Sequence, residues 1–237
     1  MYFLVCGTMA LVISVILFIL VLTQLPHHLL LRKAELLPAN QLRPGFRAVE
    51  GVVLPMEVLK SPISNQFCVY CNYMIQWYKG GKGAHWVTEA NKIRYKKFLI
   101  QDKSGAVMVD PRNAKIEKPF NVVATSVRGR FKSLIKENRV ATTNWLGFKR
   151  RMRCVEFLIV PDEKLTVVGM VSKDRSVPTP DSLVMGEGPS KKKFMISTKP
   201  FHKIKSNAKN MVWGFLIAAL ILLVFGFISF LAGMLTL

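Results

Sequence analysis

Residues 98–111 read FLIQDKSGAVMVDP: two apolar runs parted by Asp102-Lys103-Ser104-Gly105. Such a tetrapeptide between two strand-like runs is a tight hairpin signal, with Gly105 able to take positive φ. Outward from it, segments rich in Val, Ile, Phe and Tyr recur between turn signals at 47–54, 67–78, 152–159, 165–171 and 194–197. This pattern predicts a mainly β domain, an OB-like or related small barrel or sandwich. Helical signal is weaker: 131–138 is predicted as a short helix and 34–42 as a helical extension. Residues 172–193 are polar and hold Pro178, Pro180 and Pro189, so a mobile excursion between two strands is expected there.

Beyond this middle, composition changes abruptly. The 237 residues carry 34 Lys and Arg against 14 Asp and Glu, a net charge of +20, yet 51% are hydrophobic. Position reconciles the two figures. Residues 1–31 and 211–237 contain no Asp, Glu, Lys or Arg, so the whole charge lies between Arg32 and Lys209. Each uncharged end exceeds the roughly 20 apolar residues needed to cross a bilayer. A cleavable signal peptide fits the first poorly, because no basic stretch precedes it and no small-x-small site follows. The expected organisation is a transmembrane helix at 1–25 stopping at Pro26, a basic β-rich domain at 26–210, and a second transmembrane helix at 211–235. An ordinary soluble domain is excluded.

Two crossings put both termini on one side. The basic residues beside both helices lie on the domain side, and positive-inside bias then places 26–210 in the cytoplasm. A prokaryotic plasma membrane is favoured over a mitochondrial one. His27, His28 and His202 sit at the feet of the helices, where an interfacial role is expected rather than catalysis.

Seven motifs follow one another along the chain: Glu50-Gly51-Val52, Leu59-Lys60-Ser61-Pro62, Cys68-Val69-Tyr70, the run 98–111, Glu156-Phe157-Leu158-Ile159-Val160-Pro161, Leu165-Thr166-Val167-Val168-Gly169, and Phe194-Met195-Ile196-Ser197-Thr198. This series, with a flanking helix on each side, resembles the GIDE-domain family, which includes the membrane-anchored MAPL/GIDE ubiquitin ligases of mitochondria and shorter prokaryotic membrane proteins. The resemblance departs at Asp162-Glu163, where the family pattern is Gly-Asp. Family ligases also carry a RING finger after the second helix. A RING needs eight Cys or His ligands for two zinc ions, whereas this sequence holds four Cys and four His in all. A non-catalytic role is therefore expected from these residues, with no cofactor. Ligase function through a RING on another chain is the alternative.

Cys68 and Cys71 form a CxxC, which can mark a zinc or redox site. Residues three apart on a strand face opposite sides, so the two sulfurs are expected to point apart, leaving these residues weak metal candidates. No Ser elbow or HExxH occurs, and Gly80 to Gly83 lacks the spacing of a phosphate loop. The remaining signal is basic: Arg94, Lys96 and Lys97; Lys149, Arg150, Arg151 and Arg153; and Lys191 to Lys193. For a domain tethered at both ends to a bilayer, anionic lipid headgroups or an unidentified acidic protein partner are the expected targets. OB-type stacking of single-stranded nucleic acid on Trp77, Tyr78, Trp86 and Tyr95 is the less favoured reading.

Overall fold

The computed structural model describes residues 2–118, 121–125, 127–173, 183–188 and 194–235, with only the backbone at 2–4, 27, 121–123 and 235. It divides into two compact units: Met1–Glu35 with Lys199–Leu237, and Leu36–Thr198.

The first unit is a pair of helices, α1 (Tyr2–Lys33) and α3 (Phe201–Leu235). Both are long and apolar enough to cross a membrane. The helix α1 continues past Pro26, where a stop was predicted, and ends on Arg32 and Lys33. Proline lacks the donor for one backbone bond, and the basic last turn suits the negative end of a helix. Small residues let the two helices approach closely. A Cβ added to Gly7 would lie 2.8 Å from the Phe230 backbone nitrogen, and one on Gly226 would lie 3.0 Å from Leu11 Cγ. The Ser14 hydroxyl donates to the Ala219 carbonyl at 2.8 Å, which satisfies a buried polar group.

The second unit is mainly β. In chain order its elements are β1 (Glu35–Leu36), β2 (Gly45–Pro55), β3 (Leu59–Lys60), β4 (Phe67–Cys68), β5 (Tyr70–Lys79), β6 (His85–Tyr95), β7 (Phe98–Gln101), β8 (Ala106–Val109), β9 (Lys115–Glu117), β10 (Asn121–Ala124), α2 (Gly129–Glu137), β11 (Met152–Ile159), β12 (Lys164–Lys173), β13 (Leu183–Gly186) and β14 (Met195–Ser197). The predicted helical extension over 34–42 is instead β1 and a single 3-10 turn at Ala39–Gln41.

Five strands close into a barrel in the order β2, β7, β8, β13, β12 and back to β2. The β8–β13 pairing is parallel; the other four are antiparallel. Closure removes the edges that an open sheet exposes. The barrel interior holds Val49, Val53, Ile100, Val109, Val167 and Met185, all fully buried, each contributing roughly 1.5–3 kcal/mol by leaving water. Closure is tight at Gly51, where an added Cβ would meet the Gln101 carbonyl oxygen at 2.4 Å. In the predicted excursion at 172–193, Leu183–Gly186 is a barrel strand. Ser172 and Lys173 extend β12, and 174–182 and 189–193 lie outside the described residues.

The 98–111 hairpin forms as read, but its turn works differently. Gly105 is not at positive φ; Asp102 holds the turn. Its Oδ1 accepts from the Ser104 backbone (2.7 Å), the Ser104 hydroxyl (2.6 Å) and the Gly105 backbone (3.0 Å), and its Oδ2 accepts from Ala39 N at 2.8 Å. Burial pushes its carboxyl up, but these hydrogen bonds outweigh it and hold the pKa below the ordinary value.

A second sheet, ordered β10, β11, β5, β6, stands beside the barrel. Its residues alternate between two environments, as strand geometry requires. Cys71, Tyr73, Ile75, Met152, Cys154 and Leu158 face α2, which contributes Phe131, Leu134 and Ile135. Tyr70, Phe157 and Ile159, of opposite parity, join the barrel core.

Candidate functional site

The far end of the second sheet carries a ladder of guanidinium groups and aromatic rings. Tyr78 and Gln76 on β5 pair with Trp86 and Thr88 on β6, and Arg153 on β11 pairs with Gln76. These residues share one face by alternation. The Arg153 guanidinium lies 4.0 Å from the Trp86 ring centre, and its Nε donates to Gln76 Oε1 at 2.8 Å. Arg151 sits 5.7 Å from Tyr78 and 5.8 Å from Trp86, whose rings are 5.3 Å apart. On the opposite face, Arg150 lies 4.4 Å over Trp77. Trp77 Nε1 donates to Glu89 at 2.7 Å, and Arg150 approaches the same carboxylate at 3.8 Å. Stacking orients the cations and leaves guanidinium edges available to an anion.

The basic runs named from the sequence lie at different positions along the second sheet. Arg94 lies opposite Cys71 on β5, whereas Arg153 lies opposite Gln76, five residues or roughly 17 Å along the strand. Arg94 pairs with Glu137 at 3.9 Å and Lys96 with Glu57; Lys97 is also engaged in an interaction of its own. The second run divides: Arg151 and Arg153 lie on the Trp86 face, whereas Lys149 and Arg150 line a cavity on the other side. Lys191 to Lys193 lie outside the described residues.

Behind the ladder, a cavity of about 560 Å³ opens between α2 and the segment leading into β11. Lys132, Lys136, Lys149 and Arg150 line it with Thr142 and Thr143, over an apolar floor that includes Ile135. Among the described residues none of its lining is acidic. In the helical unit, a groove of about 610 Å³ is lined by His28, Arg32, His202, Lys205, Lys209 and Trp213. This is the basic, aromatic-flanked helix end that a headgroup layer favours.

Cys68 and Cys71 do not point apart. β4 ends at Cys68 and β5 starts at Tyr70, so the bend at Val69 breaks the alternation and returns both sulfurs to the core beside α2. The Cys71 thiol is pushed up by its hydrogen bond to Cys68 and then by burial; the same bond lowers Cys68 against burial. Burial and the neighbouring Glu156 push Cys154 up to about 12. Glu156, itself buried, accepts a hydrogen bond from the Ser61 hydroxyl. Among the described residues no three His, Cys, Asp or Glu side chains are placed to hold a metal ion.

A family model described as GIDE, E3 ubiquitin ligase, matches residues 78–232, which is 155 of 237. The chain belongs to the GIDE family. The match runs from the end of β5 to α3, so it includes the barrel strands β7, β8, β12 and β13, the arginines of the ladder with Tyr78 and Trp86, and the cavity, but not β2, Gln76, Trp77 or the cysteine pair. Neither the curated proteins nor the solved structures contain a match to this GIDE chain. One family position gains a physical reason. Asp162 sits at φ +63°, where the Gly of the family pattern meets no steric penalty and Asp is among the few other residues tolerated.

Proposed function

We propose that this GIDE-family chain is a membrane-anchored binding module that holds its barrel domain against an anionic bilayer surface. The observation that carries this reading is the fixing of Arg150, Arg151 and Arg153 over the rings of Trp77, Tyr78 and Trp86. Rigid guanidinium groups on aromatic faces recognise phosphate and carboxylate oxygens at low cost in side-chain entropy. Two apolar helices fit membrane association, and every Lys and Arg lies between residues 32 and 209. The basic domain therefore faces the cytoplasmic, more negative leaflet.

Amide hydrogen exchange on the full chain in nanodiscs tests this. Protection along edge strand β6 and at 151–153 rises as phosphatidylserine replaces phosphatidylcholine, and the gain is lost at high salt. Unchanged exchange across that series refutes lipid docking. The family description supports a second reading, a ubiquitin-ligase-related role completed by a RING outside these 237 residues. Ubiquitin chains formed by the purified protein with activating and conjugating enzymes alone would replace the first reading with a ligase.

A further inference from the structure

Next to the cavity stands a hairpin tip built to display apolar side chains. Thr143 and Lys149 form a bridge, and Arg150 N donates to Thr142 O at 2.8 Å. Within the bridge, Asn144 N donates to Phe148 O at 2.9 Å, and the Asn144 side-chain oxygen accepts from Leu146 N (3.0 Å) and Phe148 N (2.9 Å). Gly147 takes φ +83°, a conformation that excludes most other residues. The turn is thus held by its own hydrogen bonds, yet Trp145 is 90% exposed, Leu146 57% and Phe148 68%. Isolated exposed apolar residues are ordinary, but three on a braced tip form a presented patch.

The same hairpin forms one wall of the cavity; α2 forms the other, placing Lys132 and Lys136 one turn apart on one face. Lys132, Lys136 and Lys149 have no ion-pair partner among the described residues. Arg150 shares Glu89, and its Nε is buried without a hydrogen-bond partner among the described residues. Four cations, largely unneutralised, exceed what one singly charged phosphodiester balances.

We propose that this cavity binds the phosphomonoester headgroup of an anionic phospholipid while Trp145, Leu146 and Phe148 enter the adjacent bilayer interface. The proposal rests on the docking of the domain on the bilayer and adds a headgroup class and an insertion point. Apolar tip and cationic cavity are contiguous in chain, as an acyl chain and its headgroup are in a lipid. Tryptophan suits the interfacial layer. A bilayer is also the occupant nearest to a domain joined at each end to a membrane-length helix.

The test uses the full chain in nanodiscs with 5-fluorotryptophan, whose four ¹⁹F resonances are assigned by Trp→Phe substitution. Discs contain phosphatidylcholine with graded phosphatidic acid or, at matched charge, phosphatidylserine, plus a lipid spin-labelled just below the headgroup. The Trp145 resonance broadens as that of Trp213 does. It half-saturates at a lower fraction of phosphatidic acid than of phosphatidylserine. Lys136→Ala raises the half-saturating phosphatidic acid fraction about five-fold, and adding Lys132→Ala raises it about five-fold again. Equal half-saturation by the two lipids overturns the headgroup site, as does a Trp145 resonance untouched by the spin label. If Trp77 and Trp86 still respond to anionic lipid in that case, the docking reading survives without this site. If no tryptophan of the domain responds, both fall.

Discussion

Replacing Gly51 by Ala tests barrel closure at its tightest point. The new Cβ would lie 2.4 Å from the Gln101 carbonyl oxygen, 2.7 Å from Ile100 Cγ2 and 2.8 Å from the Gln101 carbonyl carbon. Ordinary C···O contact is roughly 3.4 Å, so the β7 backbone must retreat by about 1 Å. It cannot do so freely, because Gln101 pairs with Val52 on β2 and with Ala106 on β8. Overpacking of this kind costs about 1–3 kcal/mol, and a backbone neighbour puts Gly51 at the upper end. Loss of glycine freedom in the unfolded chain returns about 0.4–1 kcal/mol. The net is about 2 kcal/mol, or about 4–8 °C in Tm for a domain of this size. Near-UV circular dichroism melts of the full protein in detergent measure it. Gly80→Ala is the control, since nothing lies within 4 Å of its added Cβ. A Gly51→Ala Tm equal to or above that of wild type would mean that β2 and β7 do not meet as described.

Asp102→Ala removes the carboxylate that organises the 102–105 turn and lowers stability by about 1 kcal/mol at neutral pH. The folded pKa of Asp102 is depressed. Its contribution is therefore complete above the unfolded value of about 3.9 and fades as pH falls through the lower folded value. The Tm gap between wild type and variant should stay constant down to about pH 4 and then close; a constant gap throughout would refute the linkage. In the helical unit, Ser14→Ala removes the bond to Ala219 and costs about 0.6 kcal/mol, whereas Gly7→Leu forces the helices apart. An SDS unfolding titration ranks the two, and equal midpoints would contradict the close approach at Gly7. Cys71 and Cys154, buried with raised pKa values, react with a thiol reagent at neutral pH only as fast as the domain opens. Reaction at the rate of a free thiol would place them at the surface.

Where side chains alternate over a buried face, the sequence was readable: β2, β5, β11 and β12 carry the runs of Val, Ile and Phe that the barrel and second sheet require. β6 escaped because it is an edge strand whose residues are mostly exposed on both faces, so its Lys, Asn and Thr leave no apolar alternation to register. β13 escaped because four residues among prolines have too short a period to register. The bend at Val69 defeated the argument about Cys68 and Cys71, since strand parity holds only while the strand is unbroken. For the site, the run Lys149 to Arg153 was visible, but its division between two faces emerges only in the fold, where Arg150 stacks on Trp77 and Arg151 and Arg153 on Trp86. The cavity joins α2 to the hairpin that starts at Thr142, shortly after the helix ends at Glu137, and the Thr143–Lys149 bridge returns Lys149 and Arg150 to its wall. One signal was there to be used: Trp145, Leu146 and Phe148 flank a Gly in a short polar-bounded stretch, where apolar residues have no core to enter.

The most direct measurement is lipid photo-cross-linking from benzoylphenylalanine placed at Tyr78, in nanodiscs with and without anionic lipid. A barrel docked through its Arg ladder predicts lipid adducts that increase with anionic content and disappear in Arg151→Ala/Arg153→Ala. Adduct yield indifferent to lipid charge and to both arginines would contradict it.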